Sequence, residues 1–386
     1  MDIREHSGSN SSINCIKLWF GTGYQLKHRS TVDLRDFICS LDQAGFLIRV
    51  NDSVDWRYEI GRISSNTNRP LLFENIKGYP NHQLFTGGLL RIPFVALALG
   101  MAQDTPYAVV IRTLRERMQQ PRTPVMVASG PAAERITVGR EVDLHSLPAP
   151  WWNETDGGRY IGTWHVNLTR DPETGERNAG VYRMQVIGAN QTTVSVSPKS
   201  HLALHMQNAE QAQRPLEMAV AIGVAEPIVV AAGAAFPYGT DELAVAGGLM
   251  GRAVEMVKCR TITLEAPASS EIVLEGVIRP GMRVQDGPYV DYAGIPSVNP
   301  KAYLFEVSAI TQRDKPIFRG AAVGRPGAED HQLYALLADL GLVDFHGSRV
   351  RQAMQTVLLR WRFFRLFQWT GRLGLLKRRW QRASGR

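Results

Sequence analysis

Cysteine is scarce in this 386-residue chain. The three present, Cys15, Cys39 and Cys259, lie far apart and without CxxC spacing, which excludes a disulfide framework or a thiolate metal site as the organising principle and reads them as buried apolar residues or bystanders. Long apolar runs are missing too, so no spanning helix is expected, and the polar stretch Met1–Ser12 lacks the hydrophobic core of a secretory signal. A cytoplasmic protein is the resulting expectation. There is no GxSxG elbow, Walker loop or strand-linked GxGxxG, which removes support from serine hydrolysis and nucleotide hydrolysis. With 44% hydrophobic and 21% charged residues, the composition excludes disorder, collagen and coiled coil, and the length suits two or three domains.

Acidic residues are absent from one region only. Between Gly347 and Arg386 there are eleven Lys or Arg and no Asp or Glu, so the +8 of the whole chain leaves residues 1–346 at a net −3. A mildly acidic body argues against a nucleic-acid partner. The tail, RWRFFRLFQWTGRLGLLKRRW, reads either as the product of a shifted reading frame, hence a truncation, or as a basic amphipathic helix for a membrane surface or an acidic partner.

Residues 1–30 show no sustained periodicity and read as a loose extension. In DLRDFICSLDQAG, Leu34, Phe37, Ile38 and Leu41 fall at helical spacing, and Gly45 supplies a left-handed cap before the strand-like FLIRV. PLLFENI and HQLFTGGLL predict further strands and TPYAVVIRTLRERMQQ a second helix, giving an N-terminal α/β domain over 31–122. From 123 to 322 the texture changes to β-branched runs: ERITVG, TWHVNLTRD, GVYRMQVIG, TTVSVS, MAVAIG, PIVVAA, RTITLEA, EIVLEGVI and AYLFEVSAI. These predict a barrel-like or layered sheet, interrupted by helices at SHLALHMQNAEQAQ and DELAVAGGLMG. The region 323–386 contributes one helix, HQLYALLADLG, and the basic tail.

His201 and His205 stand at i and i+4 of a helix, a spacing that puts two imidazoles on one face. HLALH lacks the glutamate of a zinc protease, so a structural pair remains open beside a metal pair. Five compact motifs change that balance: RNAGVYRMQVI, SPKSHLALHM, FPYGTDELAVAGGLMG, SSEIVLEGVIRPG and QDGPYVDYAG. Together with DLRDFICSLDQAGFLIRV and DGGRYIGTWHVNLTRDPETGERNAGVYRMQV, in this order from about Asp33 to Asp330, the chain resembles the UbiD-type decarboxylases that use prenylated FMN, among them the polyprenyl-hydroxybenzoate and ferulic acid decarboxylases. The resemblance implies an α/β (α+β) chain, with the N-terminal α/β domain followed by a β-rich, split-barrel-like flavin-binding domain and a shortened helical C-terminal part.

It also implies a site. Asn178, His201 and Glu242 fall where the family holds a divalent metal bridging to the flavin phosphate, and an amide oxygen, an imidazole and a carboxylate suit Mn2+ or Mg2+ better than structural zinc. K+ is a further ion the resemblance allows. Glu255 is read instead as an exposed strand position, and His205 as structural. Val181, Tyr182, Arg183 and Ser200 join the three metal positions as cofactor-binding residues. Arg183 resembles the arginine that holds the substrate carboxylate, Asp286 the first acidic position beside it, and Asp291 the proton donor.

Two features of the sequence sit awkwardly with that set. Asn178 and Arg183 are an odd number of residues apart, which on one regular strand would place them on opposite faces. Asp286 stands where the family commonly has Glu, and a carboxylate drawn back by roughly 1.5 Å predicts a lost contact with Arg183 unless something compensates. GPYV and DYAG also depart from the family's usual GPFG or GPYG and GYY, which implies an altered substrate pocket.

The implied activity is non-oxidative, reversible decarboxylation of an aromatic, heteroaromatic or α,β-unsaturated acid through a covalent prenylated-flavin adduct, the flavin acting as the electron sink that an sp2 carbanion lacks. The implied partners are a small carboxylic acid, a flavin prenyltransferase that supplies the cofactor, and further copies of this chain in a homodimer or larger homo-oligomer. Family members continue beyond Gly324–Asp330 by about one further α/β unit, which carries oligomer contacts and a lysine for the flavin phosphate. The alternative expectation is therefore a truncated, non-catalytic relative that binds a partner subunit or a membrane surface.

Overall fold

The computed structural model describes residues 32–343 apart from Pro326. Both the N-terminal extension and the basic tail expected from the sequence lie outside the described residues. No helix among the described residues is long and apolar enough to cross a membrane.

The first part comprises α1 (Leu34–Gln43), β1 (Ile48–Val50), α2 (Glu59–Ser65), β2 (Leu71–Phe73), β3 (Gln83–Thr86), α3 (Ile92–Ala98) and α4 (Tyr107–Met118). Helix α1 forms as its spacing predicts: the Asp33 side chain caps the Asp36 N–H, and Leu34, Phe37, Ile38 and Leu41 are buried. Gly45, at φ +74°, turns the chain out of it. The short helices α2 and α3 were not anticipated. Cys259 is a free, partly buried cysteine, in keeping with the bystander reading.

The second part runs through β4 (Val125–Met126), β5 (Arg135–Val138), β6 (Tyr160–Gly162), β7 (His165–Arg170), β8 (Arg177–Gly180), β9 (Met184–Gly188) and β10 (Gln191–Val194). It continues with α5 (His201–Gln211), β11 (Leu216–Ile222), α6 (Glu226–Ala232), α7 (Glu242–Met250), β12 (Glu255–Lys258), β13 (Glu265–Pro267), β14 (Ile272–Val290) and β15 (Pro296–Gln312). Two elements close the described chain, β16 (Ile317–Arg319) and α8 (Glu329–Leu340). Nine strands form a half-barrel sheet in the order β6-β9-β10-β15-β14-β11-β7-β8, with β5 paired to β15. β4, β12 and β13 make a small separate sheet.

The large sheet is buried on both faces. Along β11, Ala219 and Ala221 belong to the core that holds α6 and α7, while Met218, Val220 and Ile222 face a second core with Tyr160 and Phe305. PIVVAA, read as a strand, is helix α6, and all seven of its residues are buried. A helix that is apolar all round has no periodic signature, so its β-branched residues dominated the reading. RTITLEA is extended only at its end, where β13 begins.

Strand β16 leaves the second part and pairs parallel with β3, completing the sheet β1-β2-β3-β16. It carries Arg319 into the junction, where the side chain is 1% exposed. Its Nε donates to Glu226 Oε1 at 2.8 Å, and Nη1 and Nη2 donate to Glu329 at 3.0 and 2.6 Å. Glu329 also accepts the Gly87 and Leu89 N–H groups, both at 2.8 Å, and Glu226 accepts Trp164 Nε1 at 2.9 Å. One guanidinium thus joins the β3 turn, β7, α6 and α8.

Two desolvated carboxylates tolerate burial only with that cation between them, so Arg319→Met is expected to cost about 3–5 kcal/mol. Urea unfolding of the two proteins measures this directly; a loss below about 1 kcal/mol, the value of an exposed pair, would contradict the assignment.

Candidate active site

Between β8 and β9 the chain breaks at Val181–Arg183. Asn178 is therefore on β8 and Arg183 is not, so strand alternation does not separate them. The break places the two residues at the edges of two adjoining polar clusters.

In the first cluster, the Arg183 Nε donates to Asp286 Oδ1 at 2.6 Å and Nη2 lies 2.5 Å from the same oxygen. Thr193 Oγ1 donates to Asp286 Oδ2 at 2.6 Å. Arg183 Nη1 donates to Ser297 Oγ at 2.7 Å, and Ser297 Oγ donates to Asp291 Oδ2 at 3.0 Å. A continuous path Thr193–Asp286–Arg183–Ser297–Asp291 results. The loss of contact expected from the shorter Asp286 does not occur: register shifts on both sides of Asp286 in the β14–β15 ladder bring its backbone to the arginine. Asp286 is fully buried, and burial raises its carboxyl above the ordinary value while Arg183 and Thr193 pull it back.

The DGGRY motif braces this cluster from the other side. Gly157 lies so close to Gly287 that a Cβ would meet its carbonyl oxygen at 2.4 Å, and the Gly157 N–H donates to Pro288 O at 2.6 Å. Asp156 accepts the Val290 and Asn153 N–H groups at 2.8 and 3.0 Å. Tyr289 packs against the Arg183 guanidinium at 5.3 Å and Tyr160 at 4.1 Å. The signal for Gly157 was present in the sequence as GG before a strand; Thr193 and Ser297 carried none, since a hydroxyl in a strand has no pattern.

The second cluster contains Asn178, His201 and Glu242. Glu242 opens α7, which Asp241 caps by accepting the Leu243 and Ala244 N–H groups. Its Oε2 accepts the Ala179 N–H at 2.9 Å, and its Oε1 lies 3.6 Å from His201 Nδ1. Asn178 Nδ2 donates to Thr169 Oγ1 at 3.4 Å. Tyr182 is partly buried; desolvation pushes its hydroxyl up to about 12, against hydrogen bonds from Asn178, Leu202 and Ser200, which places it among the same residues. Ser200 caps α5 at its N-terminus. Glu255 is exposed on β12, as expected. His205 is fully buried behind the cluster, and desolvation lowers it to about 4.

Among the described residues no group of three or more His, Cys, Asp and Glu side chains is arranged to hold a metal ion; the expected set contributes two of these types and an amide. It nevertheless fits a hard ion. Two donor atoms 3.6 Å apart can share an ion that takes its other ligands from an amide oxygen, water and a phosphate. At the start of α5 the Ala203 N–H is taken by the Ser200 cap and the Leu202 N–H by Tyr182, so the His201 N–H is the one that would be left for such a phosphate.

With this geometry in place, comparison with known proteins decides the family. Residues 124–326 match the UbiD family model, the 3-octaprenyl-4-hydroxybenzoate carboxy-lyase Rift-related domain, and residues 38–114 match its N-terminal domain. The chain belongs to the UbiD family of carboxy-lyases. A pyrrole-2-carboxylic acid decarboxylase of Pseudomonas aeruginosa is 30% identical over 332 residues, covering 82% of this chain and 67% of that protein. Among solved structures, an evolved dimeric form of the UbiD-class enzyme HmfF from Pelotomaculum thermopropionicum, in complex with prFMN, is 32% identical. It superposes with a TM-score of 0.74 over 80% of this chain and 71% of that one. The vanillic acid decarboxylase of Sedimentibacter hydroxybenzoicus in its closed form gives 30% identity and a TM-score of 0.76, covering 79% of this chain and 67% of that one. The similarity of this UbiD-family chain to its relatives thus spans about two thirds of their length.

Asp156 makes the electrostatics of the site testable. Burial raises its carboxyl to about 6, more than the Val290 and Asn153 amides and the Arg183 charge lower it. Between its ordinary value and about 6 the folded protein holds a proton that the unfolded chain has released, so this group's contribution to stability falls as pH rises through that window. Asp156→Asn should remove that component. Urea midpoints of the two proteins compared from about pH 4 to pH 7 should diverge in slope, and parallel profiles would contradict the shift.

Proposed function

We propose that this UbiD-family protein is a prenylated-FMN-dependent decarboxylase acting on an aromatic, heteroaromatic or α,β-unsaturated carboxylic acid. The observation that carries the reading is the unbroken path Thr193–Asp286–Arg183–Ser297–Asp291. Its middle member, Arg183, directly follows Tyr182, whose hydroxyl meets Asn178, Leu202 and Ser200 beside His201 and Glu242. A carboxylate-binding cation and a carboxyl group joined through one serine hydroxyl match what decarboxylation asks of a protein: hold the acid, then return a proton to carbon.

Asn178, His201 and Glu242 would hold Mn2+ or Mg2+ against the cofactor phosphate, with Val181, Tyr182 and Ser200 beside them. The bound prenylated flavin would supply, through a covalent adduct, the electron sink that the leaving carboxylate requires. The protein's own part lies in orientation. Asp286 takes Nε and Nη2 of Arg183, while Ser297 takes Nη1 through its hydroxyl and Nη2 through its carbonyl at 3.4 Å, which fixes the guanidinium plane and leaves the second Nη1 N–H to meet the substrate carboxylate. Tyr289, backed by Tyr160, covers one side of the arginine with ring surface and limits water there. Asp291 is held by the Ser297 hydroxyl on Oδ2 and the Ala293 N–H on Oδ1, so that its carboxyl proton can be delivered to the carbon once CO2 has left.

A flavin prenyltransferase would supply the cofactor. The protein would work as a homo-oligomer in the cytoplasm, as the dimeric form of HmfF suggests for the assembly.

Asp291→Asn keeps the side chain's size and the bond from the Ala293 N–H, but gives up the acceptor for the Ser297 hydroxyl and the acidic proton, so turnover of the acid should fall by about 10²- to 10⁴-fold while the flavin absorbance of the purified protein is retained. Steady-state decarboxylation assays on the two proteins measure the ratio, and an Asp291→Asn protein of undiminished rate would overturn the acid assignment.

A further inference from the structure

The i, i+4 histidine pair leaves one imidazole without a role. His205 is fully buried on α5, with Nδ1 2.9 Å from Thr169 Oγ1. Its Nε2 has no hydrogen-bond partner and faces Asp171 Oδ2 at 4.0 Å. Asp171 is itself tied down. Its carboxylate accepts Asn208 Nδ2 at 2.9 Å, the Glu173 N–H at 2.8 Å and the Tyr238 hydroxyl. Thr169 is paired with Asn178 across β7 and β8, and its Oγ1 takes the Asn178 Nδ2 at 3.4 Å.

Proton accounting gives this chain a direction. A neutral imidazole carries one N–H, and the fixed negative charge of Asp171 favours placing it on Nε2. His205 Nδ1 is then an acceptor, so the single Thr169 hydroxyl proton is committed to it. Thr169 Oγ1 has only lone pairs left for Asn178 and can meet the amide nitrogen but not the amide oxygen. A flipped Asn178 would set two acceptors against each other in a buried place.

We propose that Thr169 and His205 are positioning residues that lock the side-chain amide of Asn178, turning its nitrogen toward Thr169 and reserving its oxygen for the divalent ion. This role rests on the reading of Asn178, His201 and Glu242 as the ion's protein ligands. It gives the second histidine of HLALH a function at one remove from the ion, with no contact of its own to cofactor or substrate.

The test uses the full chain with FMN and titrates Mn2+, reading free Mn2+ by its electron paramagnetic resonance signal. Thr169→Val and His205→Leu should each weaken Mn2+ binding by about 10- to 100-fold. Thr169→Ser, which keeps the hydroxyl, should bind as the wild type does. The double variant should be no weaker than either single one, because both break the same chain. Urea midpoints without Mn2+ identify any variant whose loss is one of folding, and Thr169→Val with Thr169→Ser then carries the decision. Wild-type affinity in Thr169→Val would overturn the positioning role and leave the ligand set standing. A wild-type chain that takes up no Mn2+ beside FMN would overturn the ligand set, and the role with it.

Discussion

Arg319 sits where four separate segments meet and pairs with two carboxylates that have almost no access to water. Charges in such a place are tolerated only when each has its partner, so the triad admits few arrangements of β3, α6, β16 and α8. Its worth lies in specification more than in net energy. The surrounding apolar core, from Phe37 and Phe85 to Leu336, supplies the driving force, and the arginine sets the registration of its parts. The rings of Phe85 and Trp164, at 5.1 and 5.0 Å from the guanidinium, complete its desolvation.

From that junction the antiparallel pair β14–β15 reaches outward to the active site. Near its base Glu271, fully buried, ties it to Arg35 of α1 and to Arg313, so the first helix is anchored to the sheet by charge as well as by packing. Toward its far end the ladder loses its regular register, and there it carries Asp286, Asp291 and Ser297. Near the base one register shift, between Glu275 and Gly276, interrupts the pairing, and the repeated shifts around Asp286 leave its carboxylate and Ser297 on one arginine, with Asp291 joined through that serine. An interruption also lies on the opposite side of the site, where β8 ends and β9 begins around Val181–Arg183.

Much of this was legible in the sequence. The α1 stripe with its Gly45 cap, the α5 and α7 helices and the β-rich texture of the second part were all read from the sequence. So were the motifs that name the family and bring Asn178, His201 and Glu242 to one place, with Arg183, Asp286 and Asp291 to another. The rest was hidden for physical reasons. Helix α6 is apolar on every side and so has no period to read. Strand β16 joins a sheet built more than two hundred residues earlier, a long-range pairing for which three residues carry no signal. Contact between Asp286 and Arg183 depends on backbone register, which side-chain length alone misjudged, and Thr193, Ser297 and Thr169 became legible only once their neighbours were placed.

The proposed function gives the described residues a flavin and a divalent ion to hold beside an arginine that would meet a carboxylate. Its most direct test is the absorbance spectrum and metal content of the full chain purified after coexpression with a flavin prenyltransferase. The account predicts a coloured protein carrying prenylated flavin and manganese in equimolar amounts. A colourless, metal-free protein that is otherwise folded would contradict it.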